Sequence, residues 1–292
     1  MTTNHLSKAA PVTKKYAAIL FDLDVNTSPP SKKSDHQTKE EFSFPCRFGR
    51  DHGIDPALIL ATSHGRRTID TVKQWKPELA SMDYVREVEG RIPKEHAADA
   101  KELPGTRTLV SSLDKTGAKW AIVTSGTSAL AEPWVKDASP GFAVMKDISR
   151  LWLADKTLGR IQLMGLPRPE VFVTADKVVK GKPDPEGYLL AREQLGLSDA
   201  TESLADVLVV EDAPAGIRAG KAAGCDVLAL LTTHSREEVE AAGADFVAED
   251  LQSVEWLGKE EDGVLLLINP TPPPTALVLS LGVNLISKVV PS

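Results

Sequence analysis

Cysteine is nearly absent: Cys46 and Cys225 are the only two in 292 residues. That excludes a disulfide framework, and no cysteine–histidine cluster has zinc-ligand spacing. A reducing, cytoplasmic setting is expected. An excess of basic charge is missing too. With a net charge of −7 the chain has no lysine and arginine stripe to displace counterions from phosphates, which excludes a nucleic-acid partner. A small anion stays compatible, because local lysines and helix N-termini can hold one. Long hydrophobic runs are lacking as well. The opening MTTNHLSKAAPVTKK has no apolar stretch of the secretory kind, and Lys288 interrupts the tail TALVLSLGVNLISKVV short of the ~18 residues a membrane span needs. No membrane association is expected. Aromatics make up 5% of the chain, and Trp75 and Trp120 read as packing residues rather than a stacking platform.

What is present is a globular composition, 42% hydrophobic and 26% charged, with room for one large domain or a core and a smaller companion. Short apolar runs recur with helical patterns between them: AAILFD (17–22), WAIVTS (120–125), VFVTA (171–175), VLVVED (207–212) and VLALLT (227–232). Alternation of this kind predicts βαβ units and a Rossmann-like parallel sheet in an α/β fold. Residues 55–100 carry helical periodicity without a strong strand, so an all-helical cap is expected between the first and second strands. Leu103-Pro104-Gly105 marks re-entry into the core, and TRTLVSSLDKTG predicts an amphipathic helix with Leu109, Val110 and Leu113 inward and Gly117 as its stop. AGADFVAEDLQSVEWL predicts a last small strand and a closing helix. The tail 269–292 has no evident place in the sheet.

Four signals fall in order at strand ends: Asp22 and Asp24; Thr124 with Ser125-Gly126; Lys182 in KGKPDP; and Glu211-Asp212 in VVEDAPAGIRAGKAAG. Alone, each has a bland reading as a helix cap or a solvated loop. Their common position just past buried parallel strands points to a shared site. The order, with the stretches ATSHGRRTID, VEGRIPKEH, AIVTSGT, GKPDPEGYLL and VEDAPAGIRAGKAAGC, resembles the haloacid dehalogenase-like phosphohydrolases, and within them the fungal glycerol-phosphate and 2-deoxyglucose-6-phosphate phosphatases. The resemblance covers residues 15–24, 48–134 and 163–268. It implies a core formed by 1–26 and 103–268, a helical cap over 27–102, and a Mg²⁺-dependent phosphatase of small phosphorylated polyols or sugars, a monomer whose partner is a small phosphomonoester.

The resemblance also assigns roles. Asp22 would attack phosphorus and become an aspartyl-phosphate, and Asp24 would serve as acid and then base. Asp22, Asp24, Glu211 and Asp212 would hold Mg²⁺, a hard cation suited to oxygen ligands. Thr124 and Lys182 would steady the phosphoryl oxygens. Ser125, Gly126, His64, Arg66 and Glu89 would contact substrate, while Arg67 reads either as part of the same basic turn or as a plain surface residue. Glycines 216, 220 and 224 would let the chain pack closely behind the metal ligands.

Three stretches depart from the family pattern. Val25-Asn26-Thr27 replaces the Gly-Thr that follows the second aspartate, and residues 25–47 lack a helical period and read as disordered. A second interruption, 135–162, separates Trp134 from the point where the resemblance resumes. Both segments can be encoded with intron-like ends: GTAAAT or GTAAAG at Val25-Asn26 and Val135-Lys136, CAG at Cys46-Arg47 and Gln162, and CTGAC through a Ser-Asp or Ala-Asp pair. Retained introns and lineage-specific loops are the two readings. A displaced first loop would leave a catalytically impaired relative. A sugar phosphomutase and a haloacid dehalogenase are the remaining alternatives to a phosphatase.

Overall fold

The structure is a computed structural model that describes residues 10–23, 44–96, 102–136, 166–197, 206–261 and 263–272. The chain enters through β1 (Val12–Tyr16) and β2 (Ala18–Phe21). The cap follows: α1 (Phe44–His52), α2 (Pro56–Ser63), α3 (Thr68–Trp75) and α4 (Met82–His96). Core elements then run α5 (Thr106–Lys115), β3 (Trp120–Val123), α6 (Ser128–Ala131) and β4 (Val135–Lys136). After these come β5 (Leu166–Pro167), β6 (Val171–Val173), α7 (Glu186–Gln194), β7 (Val207–Glu211) and α8 (Pro214–Ala222). The described chain ends with β8 (Asp226–Leu230), α9 (Arg236–Ala241), β9 (Phe246–Ala248), β10 (Val254–Glu260) and β11 (Gly263–Ile268). No helix among the described residues is long and apolar enough to cross a membrane.

The main sheet is six-stranded and parallel, in the order β6-β3-β2-β7-β8-β9. Its strands are buried on both faces, which is why each reads as an unbroken apolar run. Alternate residues supply two separate cores. Ile19, Phe21, Leu208 and Val210 pack on one side with Leu109, Val110 and Leu113 of α5. Ala18, Leu20, Val207 and Val209 face the other, against Tyr188 of α7, Ile217 of α8 and Val239 of α9. The chain leaves β2 to build β3 and β6 on one side and then returns to build β7, β8 and β9 on the other. That reversal beside β2 opens a crevice at the carboxyl ends of the strands.

The expected closing helix is absent. Leu251–Ser253 makes one 3₁₀ turn, with the Asp250 carboxylate accepting from Gln252 N at 2.8 Å, and the chain then extends into β10. Strands β1, β11 and β10 form an antiparallel sheet in that order. Val264, Leu266 and Ile268 of β11 point into the core shared with α5. Pairing with β1, far away in sequence, selects the strand over the helix that the local spacing suggests.

The cap has a small apolar centre of its own, where Phe48, Ile59 and Val72 meet Phe44, Trp75 and Tyr84. The stretch 25–47, read as disordered, is helical over its last residues: α1 begins at Phe44, and Arg47 Nη1 bonds Glu95 Oε2 of α4 at 2.6 Å. The aromatic pair Phe44–Phe48 supplies the helical period there. At the second interruption β4 and β5 lie side by side, with Val135 opposite Leu166 and Lys136 opposite Pro167. Residues 136 and 166 thus stand close together, and the stretch between them lies outside the described residues.

The antiparallel sheet makes a direct prediction. Leu266→Ala, at a fully buried position, should cost about 2–5 kcal/mol of stability by urea unfolding. Leu257→Ala, at a residue 44% exposed, should change stability by no more than about 0.5 kcal/mol. Equal effects would contradict the register.

Candidate active site

Each strand end at the crevice delivers one group. Asp22 continues the β2 ladder by one bond, its N–H donating to Val210 O at 2.9 Å. Thr124 does the same beyond β3, donating to Val173 O at 2.9 Å. Glu211 closes β7, and Asp212 begins the turn into α8. Lys182 reaches in from the loop between β6 and α7.

The Lys182 ammonium has three N–H donors and three acceptors: Asp22 Oδ1 at 2.6 Å, Glu211 Oε1 at 2.7 Å and Val123 O at 3.0 Å. Its side chain is 6% exposed and that of Glu211 is wholly buried. Burial alone would lower the lysine pKa, yet Asp22 and Glu211 hold it above its ordinary value. Burial pushes the Asp22 carboxyl upward; the lysine pulls against this, while the Glu211 and Asp212 charges add to it.

Glu211 is fully engaged. Its Oε1 also accepts from Tyr188 OH at 2.8 Å, and its Oε2 accepts from Asp212 N and Ala213 N at 3.0 and 3.1 Å. A Cβ at position 216 would stand 1.6 Å from Glu211 Oε1, so the carboxylate lies directly on the helix where only glycine fits. Asp212 Oδ2 accepts from Thr232 Oγ1 at 2.9 Å and Thr233 Oγ1 at 2.8 Å, just past β8. One carboxylate oxygen from each of Asp22, Glu211 and Asp212 lies within 4.8 Å of the others. This donor set, all oxygen and all acidic, suits a hard divalent cation.

The structure brings Asp22, Lys182, Glu211 and Asp212 together, and Asp24 lies outside the described residues. Thr124 is near the cluster in the chain path: its Oγ1 donates to Leu23 O at 3.1 Å and accepts from Gly126 N at 3.0 Å. Ser125 Oγ donates to Gly65 O of the cap at 2.8 Å, and Gly126 O accepts from Ala175 N at 2.8 Å. His64 and Arg66 are exposed on the cap turn; the His64 ring meets His234 edge-on at 5.4 Å. Glu89 is 1% exposed and accepts from Thr127 N and Oγ1 at 2.7 and 2.6 Å.

Arg67, for which a plain surface position is one of the two readings, is 6% exposed. Its Nε and Nη2 fork onto Asp70 at 2.9 and 3.0 Å, and its Nη1 donates to Val178 O at 2.9 Å in the Lys182 loop. A helical-surface reading misses it because the partner carbonyl is 111 residues away. Tyr188, Thr232, Thr233 and Thr127 likewise carry no strong signal in the sequence that marks them as site residues. Thr232 and Thr233 sit at a strand end and could have been found by the same rule, but an uncharged hydroxyl gives a weak signal.

The model of the haloacid dehalogenase-like hydrolases matches residues 61–224. Glycerol-1-phosphate phosphohydrolase 1 of Saccharomyces cerevisiae is 33% identical over 250 residues, 84% of this chain and 86% of that protein. The 2-deoxyglucose-6-phosphate phosphatase 2 of the same yeast is 30% identical, covering 86% of this chain and 94% of its own. The solved structure of a hydrolase from Pseudomonas syringae superposes with a TM-score of 0.53 at 22% identity, over 80% of this chain and 94% of that one.

Removing the lysine exposes its electrostatic role. In metal-free protein Lys182→Met leaves Asp22 and Glu211 facing each other without a counter-charge, at a cost of about 3–5 kcal/mol near neutral pH. Burial already raises the Asp22 pKa, and losing the ammonium raises it further. The protonated carboxyl is then the form the fold prefers, so stability is present at acid pH and is lost as pH rises through the raised pKa. Urea unfolding across pH should show the gap from the parent chain closing toward acid; a pH-independent gap would refute this account.

Proposed function

Because the chain belongs to the haloacid dehalogenase-like hydrolases, we propose that it is a cytoplasmic, monomeric, Mg²⁺-dependent phosphatase. Its substrates would be small phosphorylated polyols or sugars, of the glycerol 3-phosphate or 2-deoxyglucose 6-phosphate type. The observation that carries this reading is the cluster itself: a buried lysine bridging Asp22 to Glu211, with Asp212 close enough to complete a cation site. The activities for which the yeast relatives are named favour hydrolysis over phosphoryl transfer between sugar hydroxyls.

In this mechanism an Asp22 carboxylate oxygen forms a bond to phosphorus as the bond from phosphorus to the substrate oxygen breaks. Asp24 donates the proton that the departing alkoxide takes up, and later accepts one from water. Water oxygen then bonds to phosphorus, the acyl–phosphate bond breaks, and Asp22 is restored with inorganic phosphate released. With a phosphoryl group bound, Lys182 and the Thr124 hydroxyl would each turn a donor from its present acceptor to a phosphoryl oxygen, where charge is concentrated during transfer. Asp22 and Asp212, with Asp24, would hold Mg²⁺, which when bound neutralises phosphoryl charge and keeps the raised Asp22 carboxyl ionised, while Glu211, its lone pairs taken by fixed donors, would add its charge beside them. Glu211 takes no part as a base, since each of its oxygens accepts fixed donors. On the cap, His64 and Arg66 would meet the substrate's hydroxyls beside Ser125 and Gly126.

The test is phosphate release from glycerol 3-phosphate and 2-deoxyglucose 6-phosphate. Release should require Mg²⁺, stop with a chelator, and fall by about 10³-fold or more in Asp22→Asn. Release that survives either change would overturn the proposal. Appearance of an isomeric sugar phosphate without free phosphate would convert it to a mutase.

A further inference from the structure

We infer that Glu89 is a positioning residue: from the cap it sets the Thr124–Thr127 loop, which the proposed reaction uses to hold the phosphoryl group. Its consequence for rate rests on the phosphatase reading, whereas the latch itself is a matter of hydrogen bonds.

A carboxylate 1% exposed is expensive to bury. Burial raises the Glu89 pKa, while hydrogen bonds from Thr127 and Thr68 oppose that rise. If the site needed only volume, an apolar side chain would fill it at lower cost. What an apolar side chain could not do is receive the Thr127 N–H and hydroxyl, which belong to a residue with no exposure at all and both end on Glu89 Oε2. Thr127 immediately precedes α6, and its side chain does not cap that short helix. Its hydroxyl is committed to the cap instead.

The neighbours on α4 support the same docking. At Gly90 α4 lies against α6: a Cβ there would stand at ordinary contact distance, 3.5 Å, from that of Ala129. Arg86, one turn earlier, lies 3.7 Å from Asp176. Asp176 in turn accepts from Ser128 N and Oγ at 3.1 and 2.9 Å. One face of α4 therefore fixes residue 127 directly and residue 128 through Asp176. At the other end of the loop Ser125 Oγ is held by Gly65 O, also of the cap. Thr124 Oγ1 accepts from Gly126 N, so its orientation follows from a backbone pinned on both sides. Both bonds at Thr127 consume Glu89 Oε2, and Thr68 engages the carboxylate as well. That assigns Glu89 to the loop in place of direct contact with substrate.

The experiment compares the parent chain with Glu89→Ala, Glu89→Gln and Thr127→Val by two readouts. The first is native-state amide exchange of residues 124–131, followed by mass spectrometry in the metal-free protein. The second is kcat and KM for glycerol 3-phosphate and for p-nitrophenyl phosphate, which lacks a polyol. Glu89→Ala should speed exchange in 124–131 and lower kcat by about 10- to 100-fold on both substrates, because a loop displaced by about 1 Å loses that much. KM should change little. Glu89→Gln should restore kcat to within about threefold, since its amide oxygen can accept both Thr127 donors and its NH₂ can donate to the Thr68 hydroxyl. Thr127→Val removes one bond without emptying the cap and should show a smaller effect of the same kind, which keeps the test decisive if Glu89→Ala does not fold. A rise in KM confined to the polyol phosphate would overturn the inference in favour of substrate contact. Unchanged exchange and kcat in Glu89→Ala, or a Gln variant as impaired as Ala, would also overturn it. If the parent releases phosphate from neither substrate while exchange still accelerates in Glu89→Ala, the phosphatase reading fails and the latch stands.

Discussion

A lysine ammonium buried to 6% exposure must place three N–H bonds on acceptors and set its charge against an opposite one. Lys182 meets both demands with Asp22, Glu211 and the Val123 carbonyl. These come from the ends of β2, β7 and β3, so one side chain fixes the relative height of three strand termini. Neither carboxylate could be held so deeply without the ammonium, and the ammonium could not be held without both. The Tyr188 hydroxyl and the backbone N–H groups of Asp212 and Ala213 then use the remaining lone pairs of Glu211. Gly216 leaves the space that this carboxylate fills.

The topology explains why such a cluster can form at all. In a parallel sheet the chain must cross over after every strand, so all carboxyl ends lie on one edge. With β2 between β3 and β7, Asp22 has a strand end of the crevice on each side. Asp212 is steadied from one strand further out, where Thr232 and Thr233 follow β8. The site is thus read across four neighbouring strands, while in sequence its parts are spread over more than two hundred residues.

That distance decides what was legible. The five core strands show in the sequence because burial on both faces makes them unbroken apolar runs, and Asp22, Lys182, Glu211 and Asp212 stand out as charges just past such runs. The helix 106–115 shows because Leu109, Val110 and Leu113 share one face. What did not show depends on partners far away. Residues 254–260 carry Glu255, Lys259 and Glu260 at exposed positions and gain their strand form from β11, which is itself held by β1. Arg67 looks like any solvated arginine until the Val178 carbonyl is beside it. Glu89 looks like a polar cap residue facing ligand, and only the tertiary contact shows that Thr127 occupies it. Buried polar pairs of this kind leave no periodic trace, because neither partner's neighbours in sequence reveal the other.

The cap and core meet in an uneven way, with a mechanical consequence. Among the described residues, the cap's side-chain bonds to the core fall on the loops that carry Thr124 and Lys182: Gly65 to Ser125, Glu89 to Thr127, Arg67 to Val178 and Arg86 to Asp176. The acidic groups are bonded from the core, through Lys182, Tyr188, Thr232 and Thr233, and the cap turn at Gly65 packs beside them against Ala213. Motion of the cap would therefore reach the loops that carry Thr124 and Lys182 and, through the Lys182 ammonium, the acidic cluster as well. The buried carboxylates thus stand at strand ends, while Lys182 and the contacts to the cap fall on loops. Cap and cluster are then coupled through hydrogen bonds at these loops rather than through any bond from the cap to Asp22 among the described residues.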